Sequence, residues 1–133
     1  MSETTTTRYF KGHGQVQRVM FRQTIIRAAQ RRGLVAGASN SKSDINEVTF
    51  TLSGDNGKIE EILQFFREKS IFLFQHANPS HLFILLLLEL INSWGARITS
   101  FTEEETGTNA TEHQVNTSNV DTFRWREDVG MYL

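Results

Sequence analysis

Two glycines and an arginine sit close enough together to do chemistry. Gly12 and Gly14 open the run 12–22, GHGQVQRVMFR, which leads into a helical pattern carrying Arg22 in its first turn. Glycine lets a backbone turn sharply and approach a ligand closely. Successive N–H groups in such a turn, followed by a helix N-terminus, form a concave site for phosphate. The planar guanidinium of Arg22 can hold two phosphate oxygens at once, a geometry that a lysine ammonium does not match. A plain strand-to-helix turn with a surface arginine has the same glycine spacing, because short glycine motifs also arise by accident. The spacing therefore opens two readings, and the residues around it must choose.

Such a cradle needs a strand ahead of it and a helix behind it. Residues 8–13 predict the strand, with Tyr9 and Phe10 as its large side chains. Over 21–32, Phe21, Ile25, Ala28 and Ala29 recur at helical spacing while Gln23, Arg27, Gln30 and Arg31 fall mostly elsewhere, which predicts an amphipathic helix. Gly33 is its stop, and Arg31 and Arg32 suit the negative end of its dipole. Residues 34–39 predict a second strand of small residues that ends at Asn40. After the polar loop 41–46, residues 47–53 alternate, with Val48, Phe50 and Leu52 on one face and Thr49, Thr51 and Ser53 on the other. That pair of strands makes a hairpin. Asp55 can cap a second helix reaching about residue 69, with Ile59, Ile62, Leu63 and Phe66 as its inward stripe. The order implies an α+β, ferredoxin-like βαββαβ sandwich with one antiparallel-rich sheet and two helices on one face. Residues 96–101 predict the fourth strand, and 121–126, where Phe123 and Trp125 alternate with polar neighbours, a last edge strand. The acidic, Thr- and Asn-rich stretch 103–119 reads as a solvated loop.

Composition bounds the remaining possibilities. The chain has 133 residues, enough for one core, and a net charge of −1 from 14 basic and 15 acidic residues. No overall pull toward nucleic acid or an anionic membrane follows, so an anion site must be local. With no cysteine, disulfides and thiolate chemistry are excluded, and the four histidines, His13, His76, His81 and His113, show no metal-ligand spacing in sequence. Residues 1–7 read as a frayed polar tail without the apolar core of a signal peptide. The sequons at Asn109 and Asn116 carry little meaning without one. One domain is expected over 8–133, interrupted at 70–88 by SIFLFQHANPSHLFILLLL. Gln75, His76, Asn78, Pro79 and His81 break that segment too often for a membrane span. It reads as a translated retained intron or a late insertion, or alternatively as an extended, kinked helix with a greasy exposed end.

The residue order around the glycines resembles a known family. Gly14 to Arg22, Gly-x-Val-Gln-x-Val-x-Phe-Arg, is similar to the signature loop of acylphosphatases, which hydrolyse carboxyl-phosphate anhydrides. Residues 36–40, Ala-Gly-Ala-Ser-Asn, resemble that family's Gly-aromatic-Val-x-Asn strand, and Val48 to Gly54 keep its Val-x5-Gly spacing. With 70–88 removed on paper, residues 62–69 and 89–101 run together as the family's second helix, turn and fourth strand do. The resemblance implies that Arg22 binds the substrate phosphate, that Asn40 positions the attacking water, and that the backbone of Gly14, Gln15, Val16, Gln17, Arg18, Val19, Met20 and Phe21 forms the phosphate-binding loop. An asparagine is no base near neutral pH, but its amide can hold a water in line with phosphorus. The resemblance further implies a metal-independent, cofactor-free, cytoplasmic monomer that takes a small acyl phosphate and releases inorganic phosphate, with no nucleic-acid or membrane partner.

This chain departs from the pattern in several places. Arg18 stands where the signature has glycine, and a Cβ there costs roughly 1–2 kcal/mol if the loop needs a positive φ. Gly37 and Ala38 replace the aromatic and the valine of the second motif, and the loop from Asn40 to Val48 is longer than usual. Two functions therefore stay open: hydrolysis of small acyl phosphates, or a catalytically impaired phosphate-binding or interaction module. A single-stranded RNA binder on the same topology is disfavoured, since its paired stacking aromatics are missing.

Overall fold

The computed structural model describes residues 5–17, 20–75, 91–92, 94, 96–131 and 133. The elements are β1 (Thr5–Gln15), α1 (Phe21–Arg31), β2 (Val35–Asn40), β3 (Glu47–Asp55), α2 (Asn56–Gln75), β4 (Arg97–Glu104) and the short β5 (Val115–Asn116). They form one five-stranded sheet in the order β4-β1-β3-β2-β5, and every neighbouring pair is antiparallel. Two helices on such a sheet are the ferredoxin-like α+β plan that the residue pattern predicts.

One face of the sheet holds the core. Phe10, Ala36, Ala38, Val48, Phe50, Leu52 and Ile98 from the strands meet Phe21, Ile25, Ile26 and Ala29 of α1 and Ile59, Ile62, Leu63 and Phe66 of α2. The alternation in β3 thus faces inward as its spacing requires, and Phe10 stacks on Phe50 with ring centroids 5.0 Å apart. The helix ends follow the expected chemistry. Arg32 N and Gly33 N donate to the carbonyls of Ala29 and Gln30, and Asp55 Oδ2 accepts from Lys58 N at 3.0 Å at the start of α2.

Several boundaries differ from the sequence-based expectation. β1 begins at Thr5, inside the stretch expected to be tail, because β3 runs on to Asp55 and offers it partners: Thr5 pairs with Asp55, and Thr7 Oγ1 meets Ser53 Oγ at 2.8 Å. β4 extends to Glu104, held there by Arg8, whose Nε and Nη2 donate to Glu103 Oε2 and Oε1 at 2.9 and 2.7 Å. The stretch 103–119 is not a solvated loop throughout. Ala110, His113, Val115 and Asn116 are buried, as the segment crosses the sheet face opposite the helices and then adds β5 to the edge of β2. The expected edge strand at 121–126 is absent for that reason: Val115–Asn116 already takes the β2 edge, with Gly37 opposite Asn116. Residues 120–125 pack on α1 instead. Arg27 donates to the carbonyls of Val120 and Phe123 at 3.1 and 3.2 Å and lies over the ring of Trp125. The helix α2 continues through Gln75, six residues into the segment 70–88, and the rest of that segment lies outside the described residues. Among the described residues no helix is long and apolar enough to cross a membrane.

Candidate functional site

The predicted loop leaves the sheet at Gly14. Pairing of β1 with β4 slips between His13 and Gly14, and Gly14 has φ +152, a conformation that side chains rarely adopt. A Cβ there would meet Arg97 O at 2.5 Å, so only glycine lets β4 stay paired while the chain turns away. Gly14 N donates to Asn46 O at 2.9 Å, which ties the start of the turn to the β2–β3 loop. Gln15 closes β1, and Val16 is buried in the core.

Gln17 makes the second tie. Its Nε2 reaches the carbonyls of Ser41, Asp44 and Glu47 at 3.0, 3.0 and 3.2 Å. The Gly14 N–H and the Gln17 amide group together therefore join the turn to the loop that follows Asn40. Arg18 and Val19 lie outside the described residues, so the expectation about a strained Arg18 does too. The positive φ that the structure does describe is at Met20, at 62°, immediately before α1, and among the described non-glycine residues it stands alone. Thr24 braces it: Thr24 N and Oγ1 donate to Met20 O at 3.0 and 2.7 Å, and Asn92 Nδ2 donates to Thr24 Oγ1 at 2.9 Å. Phe21 is buried as the first residue of α1, which leaves Arg22 at the helix N-terminus.

Arg22 is half-buried, and among the described residues no carboxylate faces it. Burial alone lowers its pKa from the ordinary value, although a guanidinium stays charged near neutral pH. Its one described partner is neutral, Gln114 Oε1, which accepts from Nη1 at 2.8 Å. The same oxygen accepts from the backbone N of Asn40 at 3.2 Å. Arg22 and Asn40, distant in sequence and borne on α1 and β2, thus share one acceptor. Asn40 Oδ1 is buried and, among the described residues, has no hydrogen-bond partner. An orphaned buried amide oxygen costs about 1–3 kcal/mol, a cost that a structural turn residue has no reason to carry.

Apolar walls stand beside the guanidinium. A hollow of about 190 Å³ is lined by Val16, Met20, Phe21, Arg22, Trp94 and Phe123 among others. A larger hollow of about 690 Å³ lies across the sheet on the face away from the helices, between Tyr9, Thr51 and the 103–108 turn. Neither Arg22 nor Asn40 lines it.

Sequence reasoning missed two features here. His13, Asp44 and Glu47 bring three ligand atoms within 4.8 Å of one another, a grouping invisible in their spacing. Those carboxylates have partners in place: Glu47 Oε1 faces Lys11 Nζ at 3.6 Å, and Asp44 Oδ1 accepts from Asn46 N at 2.9 Å. The other is Gln114, which sits in a polar run with no pattern that would single it out.

The family model for Acylphosphatase matches residues 9–72. That span takes in the turn, Arg22, Asn40 and most of α2, and ends before β4 and Gln114. No curated protein matches the chain.

Proposed function

We propose, from the match of residues 9–72 to the family model for Acylphosphatase, that the chain hydrolyses the carboxyl-phosphate bond of small acyl phosphates, with Arg22 and Asn40 as its catalytic residues. The observation that carries this reading is the pairing of a half-buried Arg22 with an Asn40 whose Oδ1 is buried, the first without a carboxylate and the second without a hydrogen-bond partner among the described residues. The N–H donors of Arg22 not taken by Gln114 have no partner among the described residues and grip phosphate oxygens, joined by backbone N–H groups between Gln15 and Phe21. Asn40 Oδ1 accepts a hydrogen bond from the water and aims its oxygen at phosphorus. A P–O bond to that water forms as the bond to the acyl oxygen breaks, and the electron pair leaves with the carboxylate. The water's proton passes to a phosphate oxygen, giving inorganic phosphate.

A carboxylate is already a good leaving group, so the scheme needs neither a general acid nor a metal. Positioning and charge stabilisation supply the rate, as in other phosphoryl transfers. The hollow beside Arg22 gives the acyl group an apolar wall while the phosphate stays at the helix N-terminus.

The test is release of phosphate from a short acyl phosphate by the full chain, with and without a chelator. Arg22→Ala and Asn40→Ala are expected to abolish turnover, and the chelator to leave it unchanged. Equal rates in wild type and Arg22→Ala overturn the enzyme reading, and phosphate binding without turnover would favour an impaired module.

A further inference from the structure

We propose that Gln114 is a positioning residue of this site, holding Arg22 and Asn40 in one arrangement from a segment outside the family match. The inference rests on the reading of Arg22 and Asn40 as the catalytic pair.

Gln114 is placed by β2 itself. Ala110 O and the His113 side chain lie over Gly37, so close that a Cβ on Gly37 would collide with both. Gly37 stands where the family pattern has an aromatic, and its missing side chain is what admits the segment 108–116 onto the strand. That segment is then fixed at each step. His113 Nδ1 meets Ser39 Oγ at 2.9 Å, and its Nε2 lies 2.9 Å from Thr51 Oγ1 and 3.2 Å from Thr108 O. Because a carbonyl only accepts, Nε2 carries the ring proton, so Nδ1 accepts from Ser39. Gln114 N donates to that same Ser39 Oγ at 3.0 Å, and Asn119 Nδ2 donates to Gln114 O at 3.2 Å. The backbone of Gln114 is thus held on both sides, and its side chain projects toward Arg22 and Asn40.

The single oxygen Oε1 then does two jobs. It orients the guanidinium fork through Nη1, and it takes the Asn40 N–H that β5, ending its pairing with β2 at Ala38 and Gly37, leaves unpaired in the ladder. A neutral amide suits the place. A carboxylate would hold Arg22 just as well but would repel the phosphate the site must bind, whereas an amide directs the cation without neutralising it. Gln114 is also exposed, so trimming it opens no cavity and a loss of rate can be separated from a loss of fold.

The experiment compares Gln114→Met, which keeps length and bulk but not the acceptor, with Gln114→Glu, which keeps the acceptor and adds charge. The full chain is used throughout, with kcat and KM for a short acyl phosphate, inhibition by inorganic phosphate, and the thermal midpoint as readouts. Gln114→Met is expected to lower kcat about tenfold or more and to weaken phosphate inhibition, at a nearly unchanged midpoint. Gln114→Glu is expected to raise KM, in a manner that added salt reduces, while kcat stays nearer wild type. Wild-type kcat in Gln114→Met overturns the proposal, and so does tighter phosphate binding, which would make the side chain an occupant of the anion site. If Gln114→Met does not fold, wild-type KM in Gln114→Glu overturns it in turn.

Failure of the underlying reading shows separately, as a wild-type chain no faster than Arg22→Ala. Phosphate titration of wild type and Gln114→Met then decides: weaker binding in the variant supports positioning, and equal binding, or none in either, overturns it.

Discussion

Two asparagines on adjacent strands should answer the same substitution in opposite ways. Asn116 in β5 is buried, and its side chain makes four bonds: Nδ2 donates to Thr111 O and His113 O at 3.1 and 3.2 Å, while Oδ1 accepts from Ser118 N and Asn119 N at 2.9 and 3.0 Å. At a net value of about 1 kcal/mol for each bond, Asn116→Ala should cost roughly 3 kcal/mol, since water can replace only part of what is lost. Asn40 is the reverse case. Its Oδ1 is buried without a partner among the described residues, so Asn40→Ala removes a penalty of about 1–3 kcal/mol and gives up about 1 kcal/mol of packing. The net expectation is a change between about zero and 2 kcal/mol in favour of the variant. Urea denaturation with unchanged slope measures both, and phosphate release from an acyl phosphate by the same Asn40→Ala sample measures turnover. A stable, inactive Asn40→Ala beside a destabilised Asn116→Ala is the expected outcome. If Asn40→Ala instead loses about as much stability as Asn116→Ala and keeps its turnover, Asn40 is a strand-end residue and the argument from its unpartnered oxygen is refuted.

Other substitutions probe the frame around the site. Burial lowers the pKa of His113, so the ring is neutral in the fold while the unfolded chain takes up a proton near pH 6.5. The unfolded state binds more protons between that lowered value and about 6.5, so stability is complete above about pH 6.5 and falls as pH drops toward the folded value. Urea midpoints at about pH 5 and about pH 7.5 should show this slope, and His113→Gln should flatten it. Gly37→Val should displace the 108–116 segment, read as loss of activity together with a lowered thermal midpoint, because its Cβ would collide with Ala110 O. Asp55→Ala should cost about 1 kcal/mol in urea denaturation through the lost cap at Lys58 N, with kcat unchanged.

Much of the frame was legible in the residues because it rests on local rules. The alternation of Val48, Phe50 and Leu52 fixes a face without knowledge of any partner, and the stripe from Ile59 to Phe66 does the same for α2. Gly14, Arg22 and Asn40 stood out by type and order. The C-terminal third resisted the same treatment for a physical reason. Phe123 and Trp125 alternate as a strand would, yet hydrogen bonds to β2 are limited to one edge, and Val115–Asn116 reaches that edge first. The burial of His113 depends on a missing side chain at Gly37, 76 positions away along the chain, and no periodicity within 103–119 reports it. Gln17 was read as loop backbone, but its side chain holds three carbonyls of a loop that has no pattern linking it to Gln17.

Two arginines on this small sheet show how the same side chain is set to different ends. Arg8 on β1 meets Glu103 of β4 through a two-point pair and Glu60 of α2 at 3.0 Å, and it also donates to Asn56. Those carboxylates raise its pKa, chiefly Glu103, and the charge is matched within the fold. Its work is to clamp strand to strand and strand to helix. Arg22 is desolvated without a carboxylate among the described residues, so its pKa moves the other way. A cation held partly out of water against a neutral amide keeps its attraction for an incoming anion, and the lower local dielectric strengthens that attraction. A phosphate arriving at Arg22 would therefore reverse the shift and bring this arginine toward the state Arg8 already has. The anion would then supply, from outside the chain, the counter-charge that Arg22 lacks among the described residues.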